Sequence, residues 1–250
     1  MSTEPLLSIV VGTRNRPKIF DRFLASVINT ATVPTELVVG DATQEDRYAK
    51  DDFFGEGLGV VRVLHESPPL GMLRGYNRCF RECLGSWVVW FNEDCELLPG
   101  WDVAAISYMT AHPEVGLGAV YFKDRREDGS YEDKFRVYEY PIFVPHANFG
   151  VLRREFGNEI GWFDERLGWG YGSDSALGLT VIEHGKAVAR IPGCKCIHHR
   201  AWDAEMFANH ETHRLADLAK FKELWQPKYH LLRMQHLQNF SYLKQPEFIE

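Results

Sequence analysis

The chain has 250 residues, 45% hydrophobic, 13% aromatic and 25% charged, the make-up of an ordinary globular protein long enough for a substantial core. Its formal net charge of −7 argues against a nucleic-acid binder, which needs a basic stripe to displace counterions, and no window nears the roughly 20 apolar residues that span a bilayer. Five cysteines, an odd number, argue against a complete disulfide framework. The N-terminal MSTEPLL lacks the basic and apolar regions of a signal peptide, so the expected location is the cytoplasm, with peripheral membrane contact left open.

Leu6 to Val11, apolar and β-branched, predicts a first buried strand ending in Gly12-Thr13-Arg14-Asn15-Arg16-Pro17. Pro17 suits the first turn of a helix, and Ile19, Phe20, Phe23, Leu24, Val27 and Ile28 follow at helical spacing. The loop between them is neither a GxGxxG fingerprint nor a P-loop. Its donors are side chains, Thr13, Arg14, Asn15 and Arg16, which either meet a phosphate or simply solvate a helix N-terminus.

Glu36 to Gly40 predicts a second strand, followed by Asp41, Thr43 and a polar helical stretch from Gln44 to Phe54. Gly59 to Leu64 predicts a third. After Pro68, Pro69 and Gly71 a helix is expected to about Leu84, with Arg74 and Asn77 on one face. The fourth strand, Trp87 to Phe91, breaks abruptly into Asn92, Glu93, Asp94 and Glu96 before a Pro99-Gly100 stop. Strands alternating with helices argue for an α/β fold, a Rossmann-like, mostly parallel sheet flanked by helices. In such sheets ligands bind beyond the carboxyl ends of the strands, where Thr13, Asp41 and Asp94 converge.

Trp101 to His112 predicts an amphipathic helix and Gly116 to Phe122 a strand, followed by a hairpin-like turn at Asp128-Gly129 and an edge strand from Phe135 to Val144 interrupted by Pro141. The βα rhythm is lost here, and a smaller, more antiparallel half is expected from residue 115. Leu167-Gly168-Trp169-Gly170-Tyr171-Gly172-Ser173-Asp174 mixes glycines with aromatics, as in a loop whose backbone approaches a ligand closely. A helix from Ala176 to His184 and a strand from Ala187 to Ile191 lead to Cys194, Cys196 and the pair His198-His199. Cys194, Cys196 and His198 alternate on one strand face, which makes a small zinc site the lesser reading of that segment. The tail is expected to be helical, with an apolar stripe of Leu215, Leu218, Phe221, Leu224 and Trp225 that loosens after Pro227. Residues 1–200 are read as one domain in two halves, 1–114 and 115–200, which the resemblance described below implies bind nucleotide and acceptor respectively, and 201–250 as a helical extension packed on it.

Asn92 and Asp94, one residue apart at a strand end, can both offer oxygen to a divalent cation, and hard ligands suit Mg²⁺ or Mn²⁺ shared with nucleotide phosphates. Over about residues 6 to 200 the sequence resembles the family 2 type of inverting glycosyltransferase with the GT-A fold. Thr13, Asn15 and Arg16 match its first-strand segment, Asp41 its uracil-reading acid, Gly71 and Asn77 its motif before the fourth strand, and Asn92-Glu93-Asp94 with Pro99-Gly100 its metal motif. Asn replaces the first acid of that motif, so direct ligation falls chiefly on Asp94, and Asn92 and Glu93 are grouped with the nucleotide contacts. Gly161-Trp162-Phe163-Asp164-Glu165 and Gly168-Trp169-Gly170 are similar to the segments ahead of the family's general base, which falls on Asp174, with Ser173 in place of the preceding acid.

The resemblance implies metal-dependent transfer of a sugar from a nucleoside-diphosphate sugar, with UDP favoured, to a glycan or other hydroxyl-bearing acceptor. Trp169, Gly170, Tyr171 and Ser173 are expected at the acceptor or donor sugar, and His198, or His199 in its stead, as a further metal ligand. The alternatives are a binding module of the same fold without turnover and, more remotely, a sugar nucleotidyltransferase. The latter should carry a Gly-rich loop after the first strand, whereas Gly12 to Pro17 has a single glycine.

Overall fold

The computed structural model describes residues 5–43, 58–137, 145–201, 204–243 and 246–250. The helix expected from Gln44 to Phe54 and most of the edge strand expected from Phe135 to Val144 lie outside them. Four strands, β1 (Leu7–Thr13), β2 (Thr35–Asp41), β3 (Val60–His65) and β4 (Trp87–Asn92), form a parallel block in the order β3-β2-β1-β4. Helices α1 (Pro17–Thr30) and α2 (Met72–Glu82) belong to the connections between them.

After the short β5 (Cys95–Leu97) and α3 (Trp101–Ala111), the chain forms β6 (Val115–Asp124), β7 (Phe135–Arg136), β8 (Gly150–Arg153), α4 (Arg154–Ile160), α5 (Ser173–Glu183) and β9 (Ala187–His198). Strand β8 is antiparallel to both β4 and β6, which makes β6 parallel to β4; β9 runs parallel to β6 and antiparallel to β5. The second half is thus mixed, antiparallel where β5, β7 and β8 insert. Both β6 and β9 run further than their apolar runs suggest, because the ladder between them resumes beyond a bulge. Ala119 pairs with Arg190 and Tyr121 with Lys195, so β9 accommodates an excursion around Ile191 to Cys194 before Asp124 meets His198.

Alternation along the strands feeds two cores. Ile9, Val11, Val89 and Phe91 pack with Phe20, Phe23 and Trp101 beneath α1 and α3, while Val10, Val88 and Trp90 pack with Tyr76, Phe80 and Leu177 beneath α2 and α5. A fully buried side chain of this size contributes about 2 kcal/mol. Cys194 and Cys196 lie in the first core, where burial pushes their thiols up, a poor setting for the thiolates zinc requires. Glu36 braces the parallel block from within. Its carboxylate accepts from Ser8 Oγ at 2.5 Å, Leu84 N at 2.5 Å and Gly85 N at 3.0 Å, and faces Arg62 at 3.3 Å.

The tail departs from expectation. Helix α6 (Ala204–Asn239) continues through Pro227, and Leu215 is 67% exposed. The buried positions are Asp217, Phe221, Trp225, Leu232 and His236, spaced by fours and sevens along one seam that lies against α5. A short strand, β10 (Phe248–Ile249), then returns to pair with β7. Among the described residues no helix is long and apolar enough to cross a membrane.

His236 Nε2 lies 3.1 Å from both N and O of Val188. Burial holds this imidazole below its ordinary 6.5, outweighing the backbone contact. The unfolded chain takes the proton first, so the stabilisation is present above about 6.5 and is lost as pH falls toward the folded value. Urea midpoints of the wild type should therefore fall relative to His236→Leu on passing from neutral to mildly acidic buffer; parallel curves would refute the assignment.

Candidate active site

The carboxyl ends of β1, β2 and β4 lie side by side, Gly12 paired with Gly40 and with Asn92, and Thr13 with Asp41. Asn92 is exposed at this edge. The loop after β1 is held from below by Glu93. At 6% exposure, Glu93 accepts from Thr13 Oγ1 at 2.5 Å and meets Arg16 Nη1 at 3.0 Å. Burial raises its pKa to about 7, against the pull of Thr13, Arg16 and the Arg14 backbone N–H. The Glu93 carboxylate thus shapes the loop through Thr13 and Arg16.

Arg16 reaches further, donating to the Ala201 carbonyl and lying 3.1 Å from Met206 Sδ, so the loop after β1 is tied to the segment after β9. Asn15, at φ 56°, donates its backbone N–H to Thr43 Oγ1 at 3.2 Å. Asp41 is buried, accepts the Thr43 N–H at 2.9 Å and faces His65 Nδ1 at 3.3 Å.

Asp94 lies at the centre of the edge. Its Oδ1 is 3.3 Å from His198 Nε2, its Oδ2 accepts the Ala201 N–H at 2.9 Å, and its carbonyl accepts the His199 N–H at 2.9 Å. Burial alone would raise its pKa, but the bond and charge of His198, together with Ala201 and Arg16, bring it down to about 2. His198 Nδ1 lies 2.6 Å from Asp124 Oδ1. Burial would lower the imidazole, yet the two flanking carboxylates carry it well above its usual value. Asp124 in turn bonds Arg136 and lies 3.5 Å from Arg200.

Of the two candidate histidines, then, His198 stands against Asp94. Alternation sends His199 elsewhere, its Nε2 2.9 Å from Glu96 and its Nδ1 2.6 Å from the Tyr131 hydroxyl.

The donor set fits a hard divalent cation. Asp94 and His198 converge on one point, and Asp124 takes the other ring nitrogen of His198, the carboxylate–histidine arrangement that orients a metal-ligating imidazole. Among the described residues no cluster of three or more His, Cys, Asp or Glu side chains makes a closed site. Mg²⁺-type sites are commonly completed by water and substrate phosphates.

Asp174 lies in the first turn of α5, which begins three residues earlier than its apolar pattern suggests. Asn148 Nδ2 is 3.5 Å from its carboxylate, and the Asn148 carbonyl accepts from Trp90 Nε1 at 3.0 Å. Since β8 pairs with β4 up to Val89↔Val151, Asn148 lies toward the same edge as Asn92, and Asp174 with it.

Two of the expected site segments are engaged within the protein itself. Asn77 is 3% exposed and its amide is engaged inside the protein, accepting from Phe163 N at 3.0 Å and donating to Phe163 O at 2.8 Å and Glu165 at 3.0 Å, so it holds the Phe163 turn. Arg74 faces the same Glu165 at 3.6 Å. The glycines of the aromatic loop approach protein and not an open ligand space. A Cβ on Gly170 would lie 2.2 Å from Met72, one on Gly168 2.9 Å from Asp217, and one on Gly172 3.2 Å from Phe221. Ser173 is buried beneath them.

Asp124 and Asp217 escape a reading by motif. The strand-end rule that singles out Asp94 also fits Asp124 once β6 is carried two residues beyond Phe122, whereas nothing near Asp217 in the sequence marks its partner loop.

Residues 8–162 match the family model described as Glycosyl transferase family 2. A curated relative, the uncharacterized protein MT1568 of Mycobacterium tuberculosis (strain CDC 1551 / Oshkosh), is 26% identical over 151 residues, 60% of this chain and 44% of its own length. The chain thus spans less than half of that relative. Similar solved structures include GalNAc-T7 with UDP, GalNAc and Mn²⁺ (TM-score 0.68, 14% identity, 91% of this chain and 50% of that one). Others are the mannosyltransferase PcManGT from Pyrobaculum calidifontis with GDP-Man and Mn²⁺ (0.61, 20%, 96% and 71%) and S. aureus TarS 1–349 with UDP-GlcNAc (0.63, 14%, 81% and 60%). At such identities the likeness shows the fold, GT-A.

If Asp124 orients His198, Asp124→Asn should weaken Mn²⁺ binding, followed by titration calorimetry, by about tenfold to a hundredfold. An unchanged affinity would remove Asp124 from the site.

Proposed function

This chain belongs to glycosyl transferase family 2, and we propose that it moves a hexosyl group, with inversion, from a nucleoside-diphosphate sugar to an acceptor hydroxyl. The observation that carries this reading is the juxtaposition of Asp94 and His198, backed by Asp124, with the Thr13–Arg16 loop at one sheet edge. In the proposal that loop and Asn92 hold the nucleotide, and the buried Asp41 reads a uracil edge. The donors named for similar structures, UDP-GlcNAc and GDP-Man, make both bases part of any test.

Asp94 and His198 would hold Mn²⁺ or Mg²⁺, which when bound neutralises the charge that gathers on the departing diphosphate. The chain itself supplies the rest. Asp174 accepts the proton of the acceptor hydroxyl as its oxygen bonds to the anomeric carbon, while the bond from that carbon to the diphosphate oxygen breaks. A single displacement inverts the centre. A carboxylate suffices as base because the hydroxyl becomes acidic only as the new bond forms.

Asp174→Asn tests this directly. Nucleoside diphosphate release from UDP-GlcNAc, UDP-GalNAc or GDP-mannose with Mn²⁺ should fall by about a hundredfold to ten-thousandfold, with donor affinity retained. Donor binding without turnover in the wild type, across a panel of acceptors and water, would favour the binding module instead.

A further inference from the structure

We infer that one face of α6, made of His210, His213 and Asp217, positions the Trp169–Tyr171 segment and through it Asp174, so that the C-terminal helix belongs to the catalytic apparatus. The inference rests on the transfer reading above and names residues outside the matched span of 8–162.

The three residues are spaced by three and four, which puts them on one side of a helix. Each takes one part of the loop. The ring of His213 lies parallel to that of Trp169, centroids 4.9 Å apart and planes 12° apart. His210 Nδ1 lies 2.9 Å from the Tyr171 hydroxyl. Asp217, only 7% exposed, takes the backbone N–H groups of Gly170 and Tyr171 on a single oxygen, at 2.8 and 3.0 Å. Successive N–H groups aimed at one anion form a cradle, and bonds to an ionised acceptor are about twice as strong as neutral ones.

This cradle demands an unusual backbone. Gly168, Gly170 and Gly172 have φ of 65°, 122° and 87°, values side chains resist, so the loop's shape depends on an external partner. From the cradle the path to Asp174 is short. Gly170 O accepts the N–H of Ser173 at 3.0 Å, Gly172 O accepts that of Ala176 at 2.9 Å as α5 begins, and Asp174 lies between. A base must stand within hydrogen-bond reach of the proton it takes, and a misplacement of about 1 Å can cost a hundredfold. Asp217 is a positioning residue in this scheme, acting through the Gly170 and Tyr171 N–H groups.

The test compares Asp217→Ala with Asp217→Asn, whose side-chain carbonyl can still accept both N–H groups. Asp217→Ala should lower kcat by about tenfold to a hundredfold, leave the donor KM unchanged, and speed hydrogen exchange at the Gly170 and Tyr171 amides; Asp217→Asn should restore most of both. A purely structural role would lower thermal stability while folded enzyme kept its kcat, and that outcome overturns the inference. Should Asp217→Ala fail to fold, His213→Ala removes the stack on Trp169 and leaves Asp217 in place; an unaltered kcat there also overturns it. A wild type silent with every donor and acceptor condemns the transfer reading instead, while exchange at Gly170 and Tyr171 still decides whether Asp217 holds the loop.

Discussion

The arrangement depends on one buried string of charge, Asp94 to His198 to Asp124. Removing charged groups from water is costly unless each finds a partner, and here every member is met by charges or N–H groups delivered from a different part of the chain. Arg136 and Arg200 face Asp124, Arg16 lies near Asp94 through Glu93, and the backbone N–H of Ala201 closes the remaining oxygen. Because these partners come from the loop after β1, the turn after β4, β7 and the segment after β9, the string assembles only when the whole sheet edge does. It is therefore a consequence of the fold, and the proposed cation site rests on it.

The parallel block was legible because its signals are local. Apolar runs ended in polar residues four times, and strand alternation is a period-two property that needs no long-range information. Asp94 could be read for the same reason. Sequence position favoured His198 with His199 as its substitute, but no local pattern decides between them, since the choice depends on the register of β9 against β6, set across the excursion from Ile191 to Cys194. Asn77 illustrates the opposite failure: a residue matching a motif whose amide is consumed by the Phe163 turn, 86 positions away. The helix was right and the direction of its face was right, but what lay opposite that face was another loop.

The aromatic-glycine loop carries the same lesson in energetic form. Glycines with positive φ were expected to admit a ligand, and they admit protein instead, because Asp217, Met72 and Phe221 fill the space that Cβ atoms would have taken. The tail's histidines acquire a purpose only in three dimensions. A heptad-like seam containing Asp217 and His236 is polar where a helix seam is normally apolar, and each polar member bonds backbone groups of the domain it covers. Hydrophobic periodicity passes over such residues; a count of orphan backbone donors finds them.

The bulge in β9 decides which of two adjacent histidines faces the charged string. Adjacent residues of a strand face opposite ways, so His198 and His199 are two settings of one position, one turned to Asp94 and Asp124 and the other to Glu96 and Tyr131. The ladder between β6 and β9 resumes beyond Ile191 to Cys194 with Tyr121 opposite Lys195 and Asp124 opposite His198, and that resumed register is what turns His198 inward. The choice between the two imidazoles is thus made by pairing on the far side of a bulge, a feature of the backbone and of no side chain in the pair.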